Sequence, residues 1–205
     1  MDTAPNIPLA DQRSAEILDS ARRAFSEKGF DGASMQDIAR KAGMSVGNFY
    51  RYFPSKAAIV EALIALDMAG MEQDFAAILL HPNPIEALRR TIEQKISQPD
   101  CQGDGQIWAE ITAAALRKPE IGEATARMED EVVIHLTTVF ARATGVSIAE
   151  ASLRWSAHAH LLIMMVKACA MQSPRNPIAD DLTRLVMRNI NRTLDDIATS
   201  AAVKG

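Results

Sequence analysis

The stretch SMQDIARKAGMSVGNFYRYFPSK, residues 34–56, contains the start and stop signals of two short helices in succession. Ser34 is followed three residues later by Asp37, and this capping-box spacing predicts a helix that begins at Met35. Gly43 stands where a left-handed residue would end that helix. The first helix is therefore predicted to be about two turns long.

A second helix is predicted between Ser45, which is suited to cap it, and Pro54, which stops it. Its helical spacing predicts an inward stripe and an outward polar face. The predicted inward residues are Val46, Phe49, Tyr50 and Phe53. The predicted outward residues are Gly47, Asn48, Arg51 and Tyr52.

Because isolated helices this short are marginal in water, both must pack on a third helix. The segment 11–28 supplies one, and Gly29 is placed to end it. Its predicted inner stripe consists of Ile17, Ala21, Ala24 and Phe25. Three helices of which the last is short and polar outside form a helix-turn-helix candidate for the DNA major groove. The alternative is a small helical subdomain without DNA.

The charge distribution favours DNA binding over the alternative of a subdomain without DNA. Residues 1–56 contain 8 Lys and Arg against 7 Asp and Glu. From residue 36 onward, however, Arg40, Lys41, Arg51 and Lys56 stand against Asp37 alone. This basic excess lies beside the second short helix, where phosphates would be.

The run AFSEKGFDGASMQDIARKAGMSVGNFYRYFPSK, residues 24–56, closely resembles the N-terminal domain of the tetracycline-repressor (TetR) family of bacterial transcriptional regulators. The resemblance rests on three motifs in order, F-x-x-x-G-F, A-S-M-x-D-I-A and A-G-M-S-x-G-x-F-Y-x-Y-F-x-S-K. It implies that the other residues form an all-α ligand-binding and dimerisation domain. We therefore expect a helix-turn-helix DNA-binding domain over residues 1–56 and a helical effector-binding and dimerisation domain over residues 57–205.

The resemblance also implies which positions contact DNA. These are Ser34, Gln36, Ser45, Val46, Gly47, Asn48, Tyr50 and Tyr52, with Lys56 as a phosphate partner. Amides such as those of Gln36 and Asn48 pair with base edges, whereas hydroxyl and ammonium groups suit phosphate oxygens. Arg51 faces outward and is either a further contact or a solvated charge.

The remaining chain is predicted to be entirely helical, which gives about nine helices in total. The predicted helices after residue 56 span 56–80, 84–97, 107–116, 119–144, 147–171 and 178–199. The sequence PDCQGDG, residues 99–105, is predicted to be a loop.

The last two long helices have more apolar surface than one domain of this size needs, which suggests a two-fold dimer built as a four-helix bundle. The predicted interface residues are Ala151, Leu162, Met165, Cys169, Ile178, Leu182, Leu185 and Leu194. A second apolar face of the first of these helices consists of Leu161, Met164, Ala168 and Met171. The alternative is that these faces close an intramolecular core.

A pocket for an effector is predicted inside the second domain. Its candidate lining residues are Met68, Phe75, Trp108, Ile111, His135, Phe140, Trp155, His158, Met164 and Met165. Interiors rich in Met and aromatic residues are more often plain core, which is the alternative for each of them.

Several function classes are disfavoured. The chain of 205 residues has 48% hydrophobic and 23% charged residues, an ordinary globular composition, and a net charge of −4. His158 and His160 lie about 200° apart around a helix and cannot bind one metal from one face. No catalytic motif is present, so we expect no enzyme activity, metal or cofactor. Residues 1–10 do not form an export signal, no run is long enough to span a bilayer, and we expect a cytoplasmic protein.

Together these observations predict a homodimeric regulator of transcription that binds a palindromic operator and is released by a small-molecule effector. An activator or a regulator without a ligand is the alternative within the same family. An enzyme or a helical interaction module would show no sequence-selective DNA binding.

Overall fold

A computed structural model describes the backbone of residues 9–97, 100–172 and 177–202, and within these ranges every regular element is an α-helix. The nine helices are α1 Leu9–Gly32, α2 Met35–Lys41, α3 Val46–Tyr52, α4 Lys56–Leu80, α5 Pro84–Ser97, α6 Asp100–Ala115, α7 Pro119–Thr144, α8 Ile148–Ala170 and α9 Ala179–Ala202. The predicted all-α fold is confirmed. In these ranges no single helix combines the length and the apolar character needed to cross a membrane.

Glycines end or break helices where the sequence predicted. Gly29, Gly43 and Gly145 have φ angles of 75°, 63° and 74°, in the left-handed region that glycine adopts without steric strain. Gly29 lies inside α1 and divides it with a kink. The Phe30 ring then folds back and lies 5.1 Å from the ring of Phe25.

The prediction of a loop at residues 99–105 is wrong over residues 100–105, because α6 already begins at Asp100. Gly105 in this helical segment lies at a close contact between two helices. A Cβ atom at this position would lie 1.8 Å from the carbonyl oxygen of Ala170, so the absent side chain lets α6 approach the backbone of α8. Only the tertiary contact reveals this use of glycine.

The chain forms two compact units, and the division falls within α4, α6 and α7. The first unit consists of the chain up to Leu66 together with Ala109–Thr125, and the second consists of Asp67–Trp108 and the chain from Ala126 onward.

The first unit has a core formed by α1, α2 and α3 with the early turns of α4. The predicted stripe of α1 is fully buried at Ile17, Ala21, Ala24 and Phe25. Ile38, Ala39 and Phe49 are also completely buried. The apolar spacing of these three segments therefore identified the core that holds α3 in place.

The second unit has its own core. It includes Phe75, Leu88, Leu136, Phe140, Ala151, Trp155, Leu162, Ile190 and Leu194. Large side chains from α4, α5, α7, α8 and α9 meet in it, so these five helices enclose one apolar interior.

Three predicted interface residues are corrected by this core. Ala151, Leu162 and Leu194 are at most 1% exposed and pack inside the second unit, so they are not available to a second copy. Met165 and Cys169 are only partly accessible, and burial raises the pKa of the Cys169 thiol. The helical spacing found two apolar faces on α8 but could not tell which of them faces the core.

The other apolar face of α8 lies at the surface. Leu153, Leu161, Met164 and Met171 are 90%, 45%, 64% and 40% exposed. On α9, Ile178 and Leu185 are 57% and 50% exposed, whereas Leu182 is half-buried. Met164 is thereby corrected as a pocket residue, because its side chain points to the surface rather than into the interior.

Candidate nucleic-acid interface

The start of α2 is fixed by a reciprocal pair of hydrogen bonds. The backbone N–H of Asp37 donates to the Ser34 hydroxyl at 3.1 Å, and the backbone N–H of Ser34 donates to the Asp37 carboxylate at 3.0 Å. Lys28 of α1 adds an ion pair of 2.8 Å to the same carboxylate. The Lys28 ammonium and the Ser34 donors together hold the pKa of Asp37 well below its ordinary value. This arrangement sets the orientation of α2 against α1.

Helix α3 begins with a second cap, where the backbone N–H of Asn48 donates to the Ser45 hydroxyl at 3.3 Å. Phe49 and Phe53 anchor the helix, because they are 0% and 7% exposed and their rings lie 6.2 Å apart. With these two rings inward, the opposite side of the seven-residue helix must face solvent.

Val46 and Tyr50 were predicted to point inward, and the structure corrects both. They are 38% and 47% exposed, because a helix this short contacts the core through one narrow stripe that Phe49 and Phe53 already fill. Both residues therefore join the outward face, where the resemblance had placed them as DNA contacts.

The start of α2 and the outward face of α3 carry polar side chains that the fold does not use. Gln36, Asn48, Tyr50, Arg51 and Tyr52 are exposed, and within the described parts of the chain their side chains have no hydrogen bond or ion pair. A row of uncommitted amide, phenol and guanidinium groups can contact base edges and phosphates without breaking internal bonds. Ser34 and Ser45 are exposed beside them, although their hydroxyl groups already serve the two caps.

Gly47 lies on this face without a packing reason for its missing side chain. A Cβ atom there would meet no atom within 4 Å. Glycine inside a helix lowers stability by about 0.5–1 kcal/mol relative to alanine. The fold itself therefore does not require glycine here, and a surface that approached the backbone of α3 would meet no side chain at Gly47.

The four basic residues counted from the sequence differ in their surroundings. Arg40 lies 3.6 Å from the Asp37 carboxylate and Lys41 lies 2.5 Å from that of Glu27. Arg51 has no such partner in the described structure, so it is the cation of this group that is most available to a phosphate. The sequence left Arg51 undecided, because ion pairs such as that of Lys41 with Glu27 of α1 depend on how the helices pack.

Lys56 is also engaged by the fold. Its ammonium donates to the carbonyl oxygens of Phe30 and Asp31 at 2.7 and 3.2 Å and lies 4.8 Å from the centre of the Phe30 ring. Partial burial lowers the pKa of Lys56. Lys56 thus connects the end of α1 to the start of α4. Two of its three ammonium N–H groups are used in this way, which leaves at most one for the predicted contact with a phosphate.

Residues far away in sequence complete the support of the site. The Glu110 carboxylate accepts a 2.9 Å hydrogen bond from the backbone N–H of Phe30. Arg117 and Lys118 form ion pairs of 2.8 and 3.3 Å with Asp31, and these two cations lower the pKa of the Asp31 carboxyl. This cluster could not be predicted from the sequence, because no local pattern connects position 110 to position 30.

The predicted effector residues occupy different places. Ile111 belongs to the first unit and the other nine belong to the second. The Phe75 and His135 rings stack at 4.9 Å, and those of Phe140 and Trp155 meet edge-on at 6.4 Å.

No group of three or more potential metal-ligating side chains occurs among the residues that the structure describes.

Comparison with known proteins gives a match of residues 17–63 to the family model for bacterial regulatory proteins of the tetR family. The chain is 40% identical over 88 residues to the HTH-type transcriptional regulator EthR of Mycolicibacterium smegmatis, which is 42% of this chain and 41% of EthR. It is 32% identical over 109 residues to the HTH-type transcriptional regulator UidR of Escherichia coli K12, which is 51% of this chain and 53% of UidR. These matches thus cover about half or less of the relatives' lengths.

The fold is similar over nearly the whole chain to a solved structure, GusR of Salmonella enterica. The TM-score is 0.74 with 23% sequence identity, over 92% of this chain and 98% of GusR. Residues 17–63 are therefore similar to bacterial regulatory proteins of the tetR family, and the likeness to GusR over the rest of the chain concerns the fold alone.

Proposed function

We propose that this protein is a sequence-specific DNA-binding regulator of transcription that acts as a homodimeric repressor in the cytoplasm and is released from its operator by a small molecule. The observation that carries the proposal is the outward face of α3. It offers Asn48, Arg51 and Tyr52 to a partner, with the backbone open at Gly47. An enzyme or an interaction module gives no reason for that combination.

Recognition of an operator requires two copies of this face. One short helix reads few bases, and each good bidentate contact contributes only about 1 to 3 kcal/mol of discrimination. Two α3 helices held about 34 to 36 Å apart would read a near-palindromic site in successive major grooves.

The exposed apolar face of α8 supports the dimer. Leu153, Leu161, Met164 and Met171 form a continuous row along this helix, and α9 adds Ile178 and Leu185. A row of large apolar side chains at the surface of a monomer marks an interaction site. Because α8 packs on α9 within the second unit, two copies joined through these faces would form a four-helix bundle.

The interior of the second unit supports an effector site. His158 has a buried Nδ1 atom with no hydrogen-bond partner in the described structure, which is an unfavourable state for a polar atom. A small molecule that opens this interior and hydrogen-bonds to His158 would relieve it. For a 100-fold loss of operator affinity, the two sites need a coupling free energy of about 2.7 kcal/mol.

The proposal is tested by selecting DNA fragments from a genomic library with the purified full-length protein. We expect enrichment of an inverted repeat whose half-sites lie about 10 base pairs apart from centre to centre, and affinity that falls steeply with salt. Recovery of no common sequence, or binding to every fragment alike, would contradict sequence-specific regulation.

A further inference from the structure

A groove with a volume of about 600 Å³ lies between α5 and α9 in the second unit. It is separate from the proposed effector interior, because none of the residues assigned to that interior lines it. Among its lining residues are Glu93 and Ser97 of α5 and Arg188, Asn191 and Arg192 of α9. Its size falls within the range of about 300 to 1,000 Å³ that is usual for small-molecule sites.

Two of the charged side chains that line the groove have partners elsewhere. Arg184 forms an ion pair with Asp181, and Asp195 accepts a 2.6 Å bond from Arg89. Arg188 and Arg192 have no hydrogen bond or ion pair with any residue that the structure describes. They lie four residues apart and therefore on the same side of α9, and both line the groove.

The α5 side of the groove offers the opposite chemistry. Glu93 is exposed and is likewise without an ion pair in the described structure, so its carboxylate remains free to accept hydrogen bonds. The buried Oδ1 atom of Asn191 has no partner either, and turning this amide toward the groove therefore breaks no bond at that atom. Ser97 adds a hydroxyl group to the lining.

These groups define what would complement them. Two guanidinium groups one turn apart bind a single carboxylate with charge-assisted hydrogen bonds. Glu93 would repel a second negative charge and instead requires a donor at the other end of the ligand. We propose that this groove binds a small organic acid with one carboxylate and at least one hydroxyl group, with the carboxylate on Arg188 and Arg192 and the hydroxyl group donating to Glu93.

The test measures thermal unfolding of the full-length protein with sodium gluconate, a polyhydroxy monocarboxylate, at constant ionic strength. Sorbitol, which has the hydroxyl groups but no carboxylate, and sodium sulfate, which is an anion without a carbon chain, serve as comparison solutes. We expect gluconate to raise the melting temperature in a saturable manner and the other two to have much smaller effects. No response to gluconate, or an equal response to sulfate, would overturn the proposal.

Variants assign the binding to the groove. The double substitution Arg188→Gln with Arg192→Gln removes two exposed charges and should weaken gluconate binding by at least about tenfold. Arg142→Ala removes another exposed arginine that lies outside the groove and should leave binding unchanged. Glu93→Gln should weaken the binding of gluconate and strengthen that of sulfate. An undiminished response in the double variant would place any binding elsewhere.

Discussion

Asp37 connects the acid stability of the first unit to the position of α2. Its carboxylate is held by Lys28 and by the donors of Ser34, and its pKa is therefore lowered in the folded state. A carboxyl whose pKa is lower in the folded than in the unfolded chain contributes stability above its unfolded pKa, about 3.9, and loses that contribution as the pH falls toward the folded value.

Asp37→Asn should accordingly lower the melting temperature at pH 7 and have a progressively smaller effect below about pH 4. The measurement is thermal unfolding of both proteins between pH 2.5 and pH 7. Asp19→Asn is a matched control, because Asp19 forms an exposed pair with Arg23 in α1, and such pairs contribute little. If the difference in melting temperature between wild type and Asp37→Asn stayed constant with pH, the result would contradict this account.

Asn48 tests whether α3 reads bases. Its side chain is exposed and has no partner in the described structure, so Asn48→Ala should leave the fold intact. We expect relaxed preference at one base pair in each half-site, with a loss of about 1 to 3 kcal/mol for the preferred base. Binding to a library randomised at each operator position measures this. Equal loss at every position would instead indicate a phosphate contact, which is the result expected of Arg51→Ala.

At the scale of the helices, the contact of α6 with α8 depends on Gly105. A methyl group at Gly105 would overlap the Ala170 carbonyl oxygen, since the Cβ position lies only 1.8 Å from it. Gly105→Ala should therefore lower the free energy of unfolding by about 1 to 3 kcal/mol, despite the better helix propensity of alanine.

Gly70→Ala is the matched control for this substitution. Gly70 lies in α4, and its Cβ position has no atom within 4 Å, so alanine should stabilise the protein by about 0.5 to 1 kcal/mol. Chemical denaturation of the two variants compares them directly. If both substitutions stabilised the protein, the close approach of α6 to α8 would be disproved.

Glu110 illustrates how an element distant in sequence supports the DNA-binding helices. It provides the acceptor for the N–H of Phe30, a residue that is 2% exposed. Glu110→Ala leaves this donor without its partner and should cost about 1 to 3 kcal/mol of stability. Glu110→Gln retains an acceptor oxygen and should cost less.

Urea denaturation of the Glu110 variants provides the measurement. Glu123→Ala, an exposed glutamate in the part of α7 that belongs to the same unit, is the control and should have almost no effect. Equal stability of the Glu110→Ala and Glu123→Ala proteins would show that the bond to Phe30 contributes nothing.

At the scale of the whole molecule, the proposed dimer depends on the exposed face of α8. Placing charges at Leu161 and Met164 would bury them in the interface without partners, which is strongly unfavourable. The double substitution Leu161→Glu with Met164→Glu should yield folded monomers whose operator affinity is greatly reduced. Analytical ultracentrifugation measures the oligomeric state of this variant, and far-ultraviolet circular dichroism shows whether it is still folded. Titration with operator DNA measures the loss of affinity.

Ile134→Glu is the control for the dimer variant. Ile134 is 59% exposed on α7 and is not part of the exposed row on α8 and α9, so this variant should remain dimeric. A dimer that persisted in the Leu161→Glu, Met164→Glu protein would place the interface on another surface.

The sequence by itself determined the local elements. Caps at Ser34, Ser45 and Ser147 and glycines at positions 29, 43 and 145 set helix ends within a few residues, because these signals depend only on neighbouring backbone atoms. The order of the motifs in residues 24–56 indicated DNA binding, and the match of residues 17–63 to the family model agrees with this.

The tertiary structure alone decided how the helix faces are used. Leu162 and Met164 are both apolar and lie two positions apart on α8, yet one is 1% and the other 64% exposed. Gly105 could have marked a loop, and it instead marks a helix contact. Arg51 and Arg40 have the same side chain, but of the two only Arg40 lies near an acidic partner, Asp37. Burial, close approach and charge pairing depend on which residues become neighbours in space. The helical spacing of apolar residues in the sequence does not tell which residues of other helices these neighbours are.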